Sequence, residues 1–354
     1  MRFVHSNIPP VKFNVNSFTD EFDFLFSKAD KIDIAVGYIT TASIAELKRL
    51  MELNPGKVLN LIIGMHYIEK FTKAEYNASM NLNNFLLENR CGSISLVKSF
   101  MYHGKMYTYS HNGTPFAGLI GSNNLSSILK QSSRVYESSI LLDDSNLAKQ
   151  MLDFCDALRV KASSPIADID ITDFKKNIPV LDGHDKVTKV NEREKIECLT
   201  NLTDVSFNLP LKPYEVSGKS NLNVYFGKGR VDSRTGLEKP RPWYEVELIV
   251  PKAITSDPLY PKEKTPDAIF DVITDDGWKF KCKISGTGSK NFRSENSLEI
   301  LGKWIKGRLE DADVLETGKP ITQKTLSDYG RDTLRFTKCK KENLWYLDFG
   351  VNND

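Results

Sequence analysis

Strand and helix patterns alternate in the first part of this chain, and that order limits the folds available to it. The stretch KIDIAVGYI (31–39) is rich in β-branched residues with the period of a strand. TASIAELKRLMEL (41–53) places apolar residues at helical spacing, with Thr41 as a candidate N-cap, and KVLNLIIGM (57–65) is strand-like again. A strand-helix-strand order predicts a parallel sheet that helices cover on both faces.

This alternation continues to about residue 160, so residues 1–160 are predicted to form the first domain. The turn His111-Asn112-Gly113 between two alternating runs predicts a hairpin. Residues 161–195 are predicted to be a linker, and the short strand-like runs of 196–354 predict a mainly β domain. The further elements predicted in the first domain are helices over 76–90 and 144–160 and strands over 93–99, 102–109, 114–120 and 134–142.

Composition excludes several classes of protein. The 354 residues are enough for two domains, and no apolar run approaches the roughly 20 residues that cross a bilayer. The N-terminus has no signal-peptide pattern, so we expect a cytoplasmic protein without membrane association. Five scattered cysteines without a CxxC pair argue against a disulfide framework and a zinc site, and we expect neither a metal nor another cofactor.

The segment YHGKMYTYSHNGTPFAGLIGSNNLSS (102–127) carries the residues best suited to chemistry. Residues two apart on a strand share a face, so His103 and Lys105 are expected to point the same way. An imidazole beside an ammonium suits attack on a phosphorus whose oxygens need positive charge nearby. Ser122 and Asn124 follow in a Gly-Ser-x-Asn turn that can supply further donors to phosphate oxygens. Glu137 lies in an apolar run, where a carboxylate is costly unless it is paired, for example with a catalytic imidazole.

His103, Lys105, Ser122, Asn124 and Glu137 together resemble the HxK, GSxN and later Glu of the phospholipase D superfamily. The Asp that many members carry shortly after the Lys is absent, which favours a nuclease over a lipase. The chain has one HxK, whereas the superfamily's site uses two. The resemblance therefore implies a homodimer formed through the first domain, with one His as nucleophile, the other as general acid, and no metal.

His66 follows the strand 57–65 and could lie near the sheet edge where ligands bind, or be an ordinary loop residue. A second candidate for regulation is the acidic run Asp168, Asp170 and Asp173 in the predicted linker. These carboxylates either cover the positive active site until DNA is bound or are simply solvated.

Two basic segments lie in the second half of a nearly neutral chain. The first basic segment (219–243) and the second basic segment (281–297) are glycine-containing loops whose Lys and Arg suit phosphate and guanine contacts. They are also compatible with ordinary solvated loops. The residues expected to contact double-stranded DNA are Lys219, Lys228, Arg230, Arg234, Lys239, Arg241, Trp243, Lys283, Ser285, Lys290, Asn291 and Arg293.

The whole arrangement resembles the NgoFVII/NgoAVII-type restriction endonucleases, with BfiI more distantly similar. That resemblance implies an α/β phospholipase D-like domain, with a mixed sheet covered by helices, followed by a B3-like pseudobarrel domain. The two basic segments would be the DNA-gripping arms of the pseudobarrel. The implied function is metal-independent type II cleavage of DNA.

Three alternatives to a self-sufficient endonuclease stay open at this point. One is the nuclease subunit of an ATP-dependent restriction complex, whose ATPase or helicase would be a separate subunit because this sequence has no GxxxxGK[ST] motif. Another is a non-catalytic DNA-binding protein that keeps the first domain for dimerisation. The third is a phospholipase, which the single motif and the basic segments disfavour.

Overall fold

The computed structural model describes residues 1–129, 135–177 and 179–351. Their contacts divide the chain into two compact units. The N-terminal unit contains 1–129, 135–177 and 229–240, and the C-terminal unit contains 179–228 and 241–351. Residues 161–177, predicted as the start of a linker, therefore pack within the N-terminal unit. The segment 229–240 also belongs to this unit although it lies far along the sequence.

The N-terminal unit alternates strands and helices much as the sequence predicts. Its helices are α1 (Phe18–Lys28), α2 (Thr41–Leu53), α3 (His66–Glu69), α4 (Lys73–Glu88) and α5 (Ser145–Ala162). Its first eight strands are β1 (Arg2–His5), β2 (Lys31–Val36), β3 (Val58–Ile63), β4 (Gly92–Val97), β5 (Lys105–His111), β6 (Thr114–Gly121), β7 (Ser138–Leu142) and β8 (Ser163–Pro165). Residue 134, the predicted start of β7, lies outside the described residues.

Side-chain caps set the starts of the helices. Thr40, not Thr41, is the N-cap of α2, because its hydroxyl accepts a hydrogen bond from the Ser43 N–H. Thr72 caps α4 in the same way and forms a capping box with Glu75. This box explains why α4 begins earlier than the predicted residue 76.

The sheet of this unit is mixed, in the strand order β1-β7-β6-β5-β2-β3-β4-β8. Strands β2, β3 and β4 are parallel, while β5 pairs antiparallel with both β2 and β6. Alternate residues of the strands enter two separate cores: Ile34 and Tyr107 pack with α1, α2 and α4, whereas Ala35 and Met106 pack with α5. The predicted mixed sheet covered by helices is confirmed.

Antiparallel pairing of β5 brings distant chain segments to one edge of this sheet. Lys105, the first residue of β5, pairs with Val36 at the end of β2. Gly121, the last residue of β6, pairs with Ser139 near the start of β7. The residues just before β5 and just after β2 and β6 therefore meet at this edge.

His66 supports the same edge from below the surface. Its side chain is only 2% exposed and stacks on Phe71, with the ring centroids 4.6 Å apart. Its Nε2 accepts a hydrogen bond from the Ile39 N–H at 3.1 Å, so this nitrogen carries no proton. Its Nδ1 lies 3.8 Å from Glu75 Oε2, and Glu75 also faces Lys175. His66 thus fixes the turn between β2 and α2 and has a structural role.

The C-terminal unit is rich in strands. Its strands are β9 (Thr188–Lys189), β10 (Leu202–Pro210), β13 (Leu248–Ile249), β14 (Ile269–Thr274), β15 (Trp278–Ser285), β16 (Asn291–Ser294), β17 (Thr333–Cys339) and β18 (Leu344–Asp348). Its helices are α6 (Glu192–Thr200), α7 (Tyr214–Ser217), α8 (Lys252–Thr255), α9 (Glu299–Asp311) and α10 (Gln323–Tyr329). The hairpin strands β11 (Arg230–Val231) and β12 (Glu238–Lys239) belong to the N-terminal unit.

Seven of these strands form a sheet in the order β10-β17-β18-β14-β15-β16-β13, with β9 added beside β15. Aromatic side chains pack together on this sheet, where Phe336 stacks on Trp345 at a centroid distance of 4.0 Å. Phe270 and Phe292 pack beside this pair. The strand-rich C-terminal unit agrees with the predicted mainly β domain.

None of the helices in the described part of the chain has the length and hydropathy needed to cross a membrane. All five cysteines are free thiols, although the sulfurs of Cys198 and Cys339 lie 3.1 Å apart.

The burial of His66 predicts a specific loss of stability in acid. Desolvation, and to a smaller extent the charge of Lys175, lower the pKa of His66 from 6.5 to about 3. The unfolded chain therefore binds one more proton than the folded protein between these two values, so stability falls as pH drops from about 6.5 to about 3. The shift corresponds to about 4 to 5 kcal/mol for this group.

We expect the free energy of unfolding of the wild type to fall more steeply over this pH range than that of His66→Gln. Urea unfolding at a series of pH values measures the difference. His111→Gln is the matched control, because His111 lies in an exposed hairpin turn, with 60% of its side chain accessible. Parallel slopes for the wild type and His66→Gln would contradict the assignment of His66 as a buried neutral imidazole.

Candidate active site and DNA-binding residues

His103 is exposed at the sheet edge, two residues before β5 begins. The predicted strand 102–109 thus starts too early, and His103 lies in the loop that leads into it. Tyr38 contacts the imidazole edge to face, with centroids 5.5 Å apart and planes at 80°. The loop is held by a hydrogen bond from the Tyr102 N–H to the Gly64 carbonyl, and a Cβ on Gly64 would lie 2.0 Å from the Tyr102 carbonyl oxygen. Only glycine permits this close approach.

Lys105 lies directly beneath His103. The residue is 6% exposed, and its Nζ donates a hydrogen bond to the His103 carbonyl at 2.5 Å. Burial lowers the pKa of Lys105, while the Glu137 carboxylate opposes that effect. The ammonium thus holds the main chain of His103 and brings positive charge to the site.

Asn124 follows β6 and lies at the same edge. Its Oδ1 accepts a hydrogen bond from the Tyr38 N–H at 3.0 Å, which fixes the orientation of the carboxamide. Among the described residues, none accepts a hydrogen bond from Asn124 Nδ2. This group is therefore a donor available to an anion beside His103.

Ser122 has a structural role in this arrangement. Its hydroxyl donates to the Ser138 carbonyl at 3.2 Å and accepts from the Ser138 N–H at 3.0 Å. A Cβ on Gly121 would lie 2.3 Å from the same carbonyl oxygen, so glycine is needed for the two strands to meet here. The Ser122 hydroxyl ties β6 to β7, and the expectation that it contacts phosphate directly is not supported by this geometry.

Glu137 precedes β7, so it is not a carboxylate inside an apolar strand as the sequence pattern predicts. The residue is half-buried, and its main chain is held by Ser6: the Ser6 N–H donates to the Glu137 carbonyl at 3.0 Å, and the Glu137 N–H donates to Ser6 Oγ at 2.9 Å. Its charge acts on Lys105. Glu137 is therefore the acidic counterpart of the ammonium at this edge.

Tyr38 is the residue of this site that the sequence reasoning missed. It contacts His103 and His66 through its ring, Asn124 through its N–H, and Glu69 through its hydroxyl, at 2.8 Å. The hydrogen bond to Glu69 is the main cause of the raised pKa of Tyr38. Its position immediately after a parallel strand, at the edge where ligands bind, was the available signal.

The acidic run of the predicted linker lies along the N-terminal unit. Asp168 and Asp170 are exposed, and Asp173 pairs with Lys70 at 2.5 Å. The Lys175 N–H donates to the Phe71 carbonyl at 2.8 Å, next to the ring on which His66 stacks. Whether these carboxylates exclude DNA stays a hypothesis.

Residues of the first basic segment differ in their surroundings. Lys219, Lys228 and Arg230 are exposed. Arg241 forms two hydrogen bonds with the Glu245 carboxylate, which itself is 2% exposed. Arg234 and Lys239 also contact other parts of the protein.

Trp243 does not lie on a DNA-binding surface as expected. It is 2% exposed, and its Nε1 donates to Glu310 at 2.8 Å. Tyr244 and Thr317 donate to the same buried carboxylate, and the Lys306 ammonium lies 4.0 Å from the Trp243 ring centroid. The tryptophan is part of the core, where its apolar ring is removed from water and its N–H has a hydrogen-bond acceptor.

The second basic segment forms a hairpin between β15 and β16. Lys283 pairs with Arg293, and Ser285 pairs with Asn291, so these four side chains share the outward face. Arg293 Nε donates to Ser285 Oγ at 3.2 Å, and Asn291 Nδ2 donates to Glu247 at 3.2 Å. The remaining predicted residue, Lys290, is exposed in the connecting loop. This segment thus presents a polar, mostly basic face.

Family models of known proteins match both parts of the sequence. Residues 16–170 match the model of the NgoFVII restriction endonuclease N-terminal PLD (phospholipase D) domain. Residues 197–340 match the NgoFVII C-terminal B3-like DNA-binding domain. A comparison with curated proteins finds no match.

Solved structures that match part of the chain include phosphatidylserine synthase from Haemophilus influenzae Rd KW20, at 15% identity and a TM-score of 0.35. That similarity covers 48% of this chain and 41% of the synthase. Polyphosphate kinase from Porphyromonas gingivalis matches at 13% identity and a TM-score of 0.30, over 47% of this chain and 24% of the kinase. The chain thus spans less than half the length of either protein.

The family matches agree with the architecture described above. The first match falls within the N-terminal unit, which contains His103, Lys105 and Asn124 at one sheet edge. The second covers most of the strand-rich C-terminal unit. With both domains present in that order, the chain belongs to the NgoFVII restriction endonuclease family and combines a phospholipase D domain with a B3-like DNA-binding domain.

Proposed function

We propose that this protein is a metal-independent type II restriction endonuclease that hydrolyses DNA phosphodiesters at a site shared by two subunits. The observation that carries the proposal is the exposed imidazole of His103 at the sheet edge where two groups suited to phosphate oxygens also lie. Lys105 supplies positive charge there, and Asn124 supplies an N–H donor on a carboxamide that Tyr38 orients. These groups can stabilise the charge of a phosphorane-like transition state.

The reaction proceeds in two displacements. An imidazole nitrogen of one His103 attacks phosphorus, so a P–N bond forms while the bond to the leaving oxygen breaks. The second His103, from the partner subunit, gives its proton to that oxygen. Water then attacks the phosphohistidine, the P–N bond breaks, and the water proton returns to the second His103.

An exposed apolar row supports the homodimer. Phe3, Ile140 and Ile120 lie in register across β1, β7 and β6, and their side chains are 66%, 37% and 40% exposed. Ile120 immediately precedes Gly121, at the edge where His103 lies. A two-fold axis through such a surface would bring two copies of the site together.

The C-terminal unit supplies sequence-specific recognition in this proposal. The outward face of the β15–β16 hairpin, with Lys283, Ser285, Asn291 and Arg293, is the surface that we assign to the major groove. Lys219, Lys228 and Lys290 are exposed and are assigned to the phosphate backbone.

DNA cleavage by the wild type and by His103→Ala, both without divalent metal, tests the proposed role of His103. We expect the wild type to cut plasmid and phage DNA into discrete fragments in excess EDTA, because Lys105 and Asn124 provide the charge stabilisation. His103→Ala should lose at least about a thousandfold in rate, since nucleophile and general acid are both removed. His111→Ala is the control and should cut like the wild type.

Cleavage that requires magnesium and persists in His103→Ala would overturn the mechanism. Absence of cleavage by the wild type under all conditions, with DNA binding retained, would instead favour a nuclease subunit that needs an ATPase partner or a non-catalytic DNA-binding protein.

Subunit mixing tests the shared site. If each site needs His103 from both subunits, a fourfold excess of His103→Ala should reduce the activity of exchanged wild-type protein to about one fifth, as random pairing requires. The measurement is initial cleavage rate with DNA in excess. The control is the double variant with Ile140→Arg added, which should neither pair with the wild type nor inhibit it. Undiminished activity after verified subunit exchange would mean that each subunit has a complete site.

Tyr38 is expected to position His103 and Asn124. Tyr38→Ala removes the ring against the imidazole and should lower kcat by about tenfold or more, with a smaller change in KM, because misplacement acts mainly on the transition state. Tyr38→Phe keeps the ring and the N–H, so it should stay within about threefold of the wild type. Equal losses in both variants would assign the effect to the hydroxyl and its bond to Glu69.

A further inference from the structure

The segment 229–240 is a preformed hairpin. Strands β11 and β12 pair Arg230 with Lys239 and Val231 with Glu238. Asp232 closes the turn: its Oδ1 accepts hydrogen bonds from the N–H groups of Arg234 and Thr235, both at 2.9 Å. Gly236 adopts a φ of +70°, which favours glycine. The turn is therefore held by hydrogen bonds within the hairpin itself.

One apolar side chain of this hairpin is buried in the N-terminal unit. Leu237 is 3% exposed and belongs to the same hydrophobic core as residues of α1, α2 and the central strands, such as Phe22, Leu50 and Tyr109. Burial of a leucine side chain stabilises the folded state because it removes apolar surface from water. The hairpin thus completes the core of a unit whose other residues all precede residue 178.

Polar contacts surround Leu237. Lys239 Nζ pairs with Asp23 Oδ2 at 2.8 Å, and the Asp23 side chain on α1 is 3% exposed. Arg234 Nη2 donates to the Asp20 carbonyl at 2.9 Å, and Asn54 Nδ2 donates to the Glu238 carbonyl at 3.0 Å. Asn54 is also the C-cap of α2, so the hairpin is joined to the ends of both helices.

Release of the hairpin would therefore be costly. It would expose Leu237 to water and separate the buried carboxylate of Asp23 from Lys239. The loss of one partner from a buried ion pair is strongly destabilising. If Lys239 were to contact a phosphate instead, that contact would have to offset both the exposure of Leu237 and the loss of the ion pair with Asp23.

We propose that residues 229–240 are a docking clip, which stays seated on α1 and α2 while DNA is bound and does not read DNA. The chain leaves the C-terminal unit after Lys228 and returns to it at Arg241, so the clip is a segment from the second half of the sequence that is held in the nuclease unit. In this role Lys239 and Leu237 are structural, and DNA contacts fall to the exposed residues outside the clip. The proposal does not depend on the chemistry at His103.

Lys239→Met in the full-length protein tests the clip, with Lys228→Met as the matched control. Lys228 is exposed and lies just outside the hairpin. Two properties are measured: the rate at which trypsin cuts after Arg230 and Arg234, and affinity for a mixed-sequence DNA duplex over a range of salt concentrations. Cleavage by trypsin reports how often the hairpin opens. The salt slope reports how many phosphates the protein contacts.

For Lys239→Met we expect trypsin cleavage to rise by about tenfold or more, because the open form is populated more often. Its salt slope should equal that of the wild type. Lys228→Met should show wild-type cleavage. A Lys239→Met protein with wild-type cleavage would overturn the proposal, and so would a slope reduced by about one phosphate contact.

A second comparison keeps the test decisive if Lys239→Met folds poorly. Asp23→Asn combined with Lys239→Met removes both charges, so it should be more stable than Lys239→Met alone, because the Asp23 carboxylate no longer has to stay buried without the Lys239 charge. Urea unfolding measures the difference. If the double variant is no more stable than the single one, Lys239 is not the counterion of Asp23 and the clip is refuted.

Discussion

Antiparallel pairing of β5 between β2 and β6 is the constraint on which the active-site arrangement depends. Because the register sets Lys105 opposite Val36, the start of β5 meets the end of β2, where Tyr38 follows. The same pairing brings the end of β6, and with it Asn124, to that edge. A one-residue slip would turn Lys105 to the opposite face of the sheet and exchange the two cores on either side of it. Packing against two different sets of helices therefore protects the geometry of the site.

Main-chain contacts do most of the positioning around His103. Lys105, Asn124 and Ser6 each hold a backbone group, and Gly64 and Gly121 permit approaches that a Cβ would block. The imidazole itself contacts the ring of Tyr38. Such a site is fixed in its main chain and open at the imidazole, which suits the role of nucleophile that we propose for His103.

Much of the N-terminal unit could be predicted from sequence because the patterns that determine its helices, strands and motifs lie within short stretches of the chain. Periodicity predicted β2, α2, β3 and α5 to within a few residues, and closely spaced motifs located His103, Lys105 and Asn124. For Ser122 the sequence does not distinguish a hydroxyl that bonds to a ligand from one that bonds to a neighbouring strand. The burial of Trp243 and the ion pair of Lys239 could not be predicted for another reason. Lys239 pairs with a carboxylate 216 residues earlier, and no local pattern distinguishes such a lysine from one that faces DNA.

The place of Leu237 in the chain has a consequence for how the protein is made. Protein synthesis delivers the N-terminus first, and domains generally fold as soon as their sequence has emerged. Here the nuclease unit lacks part of its core, and the ion pair between Asp23 and Lys239 cannot form, until about two thirds of the chain has left the ribosome. The phospholipase D unit therefore reaches its final packing only after much of the DNA-binding half has been synthesised. A nuclease whose folding is completed so late is made together with the segment that directs it to DNA.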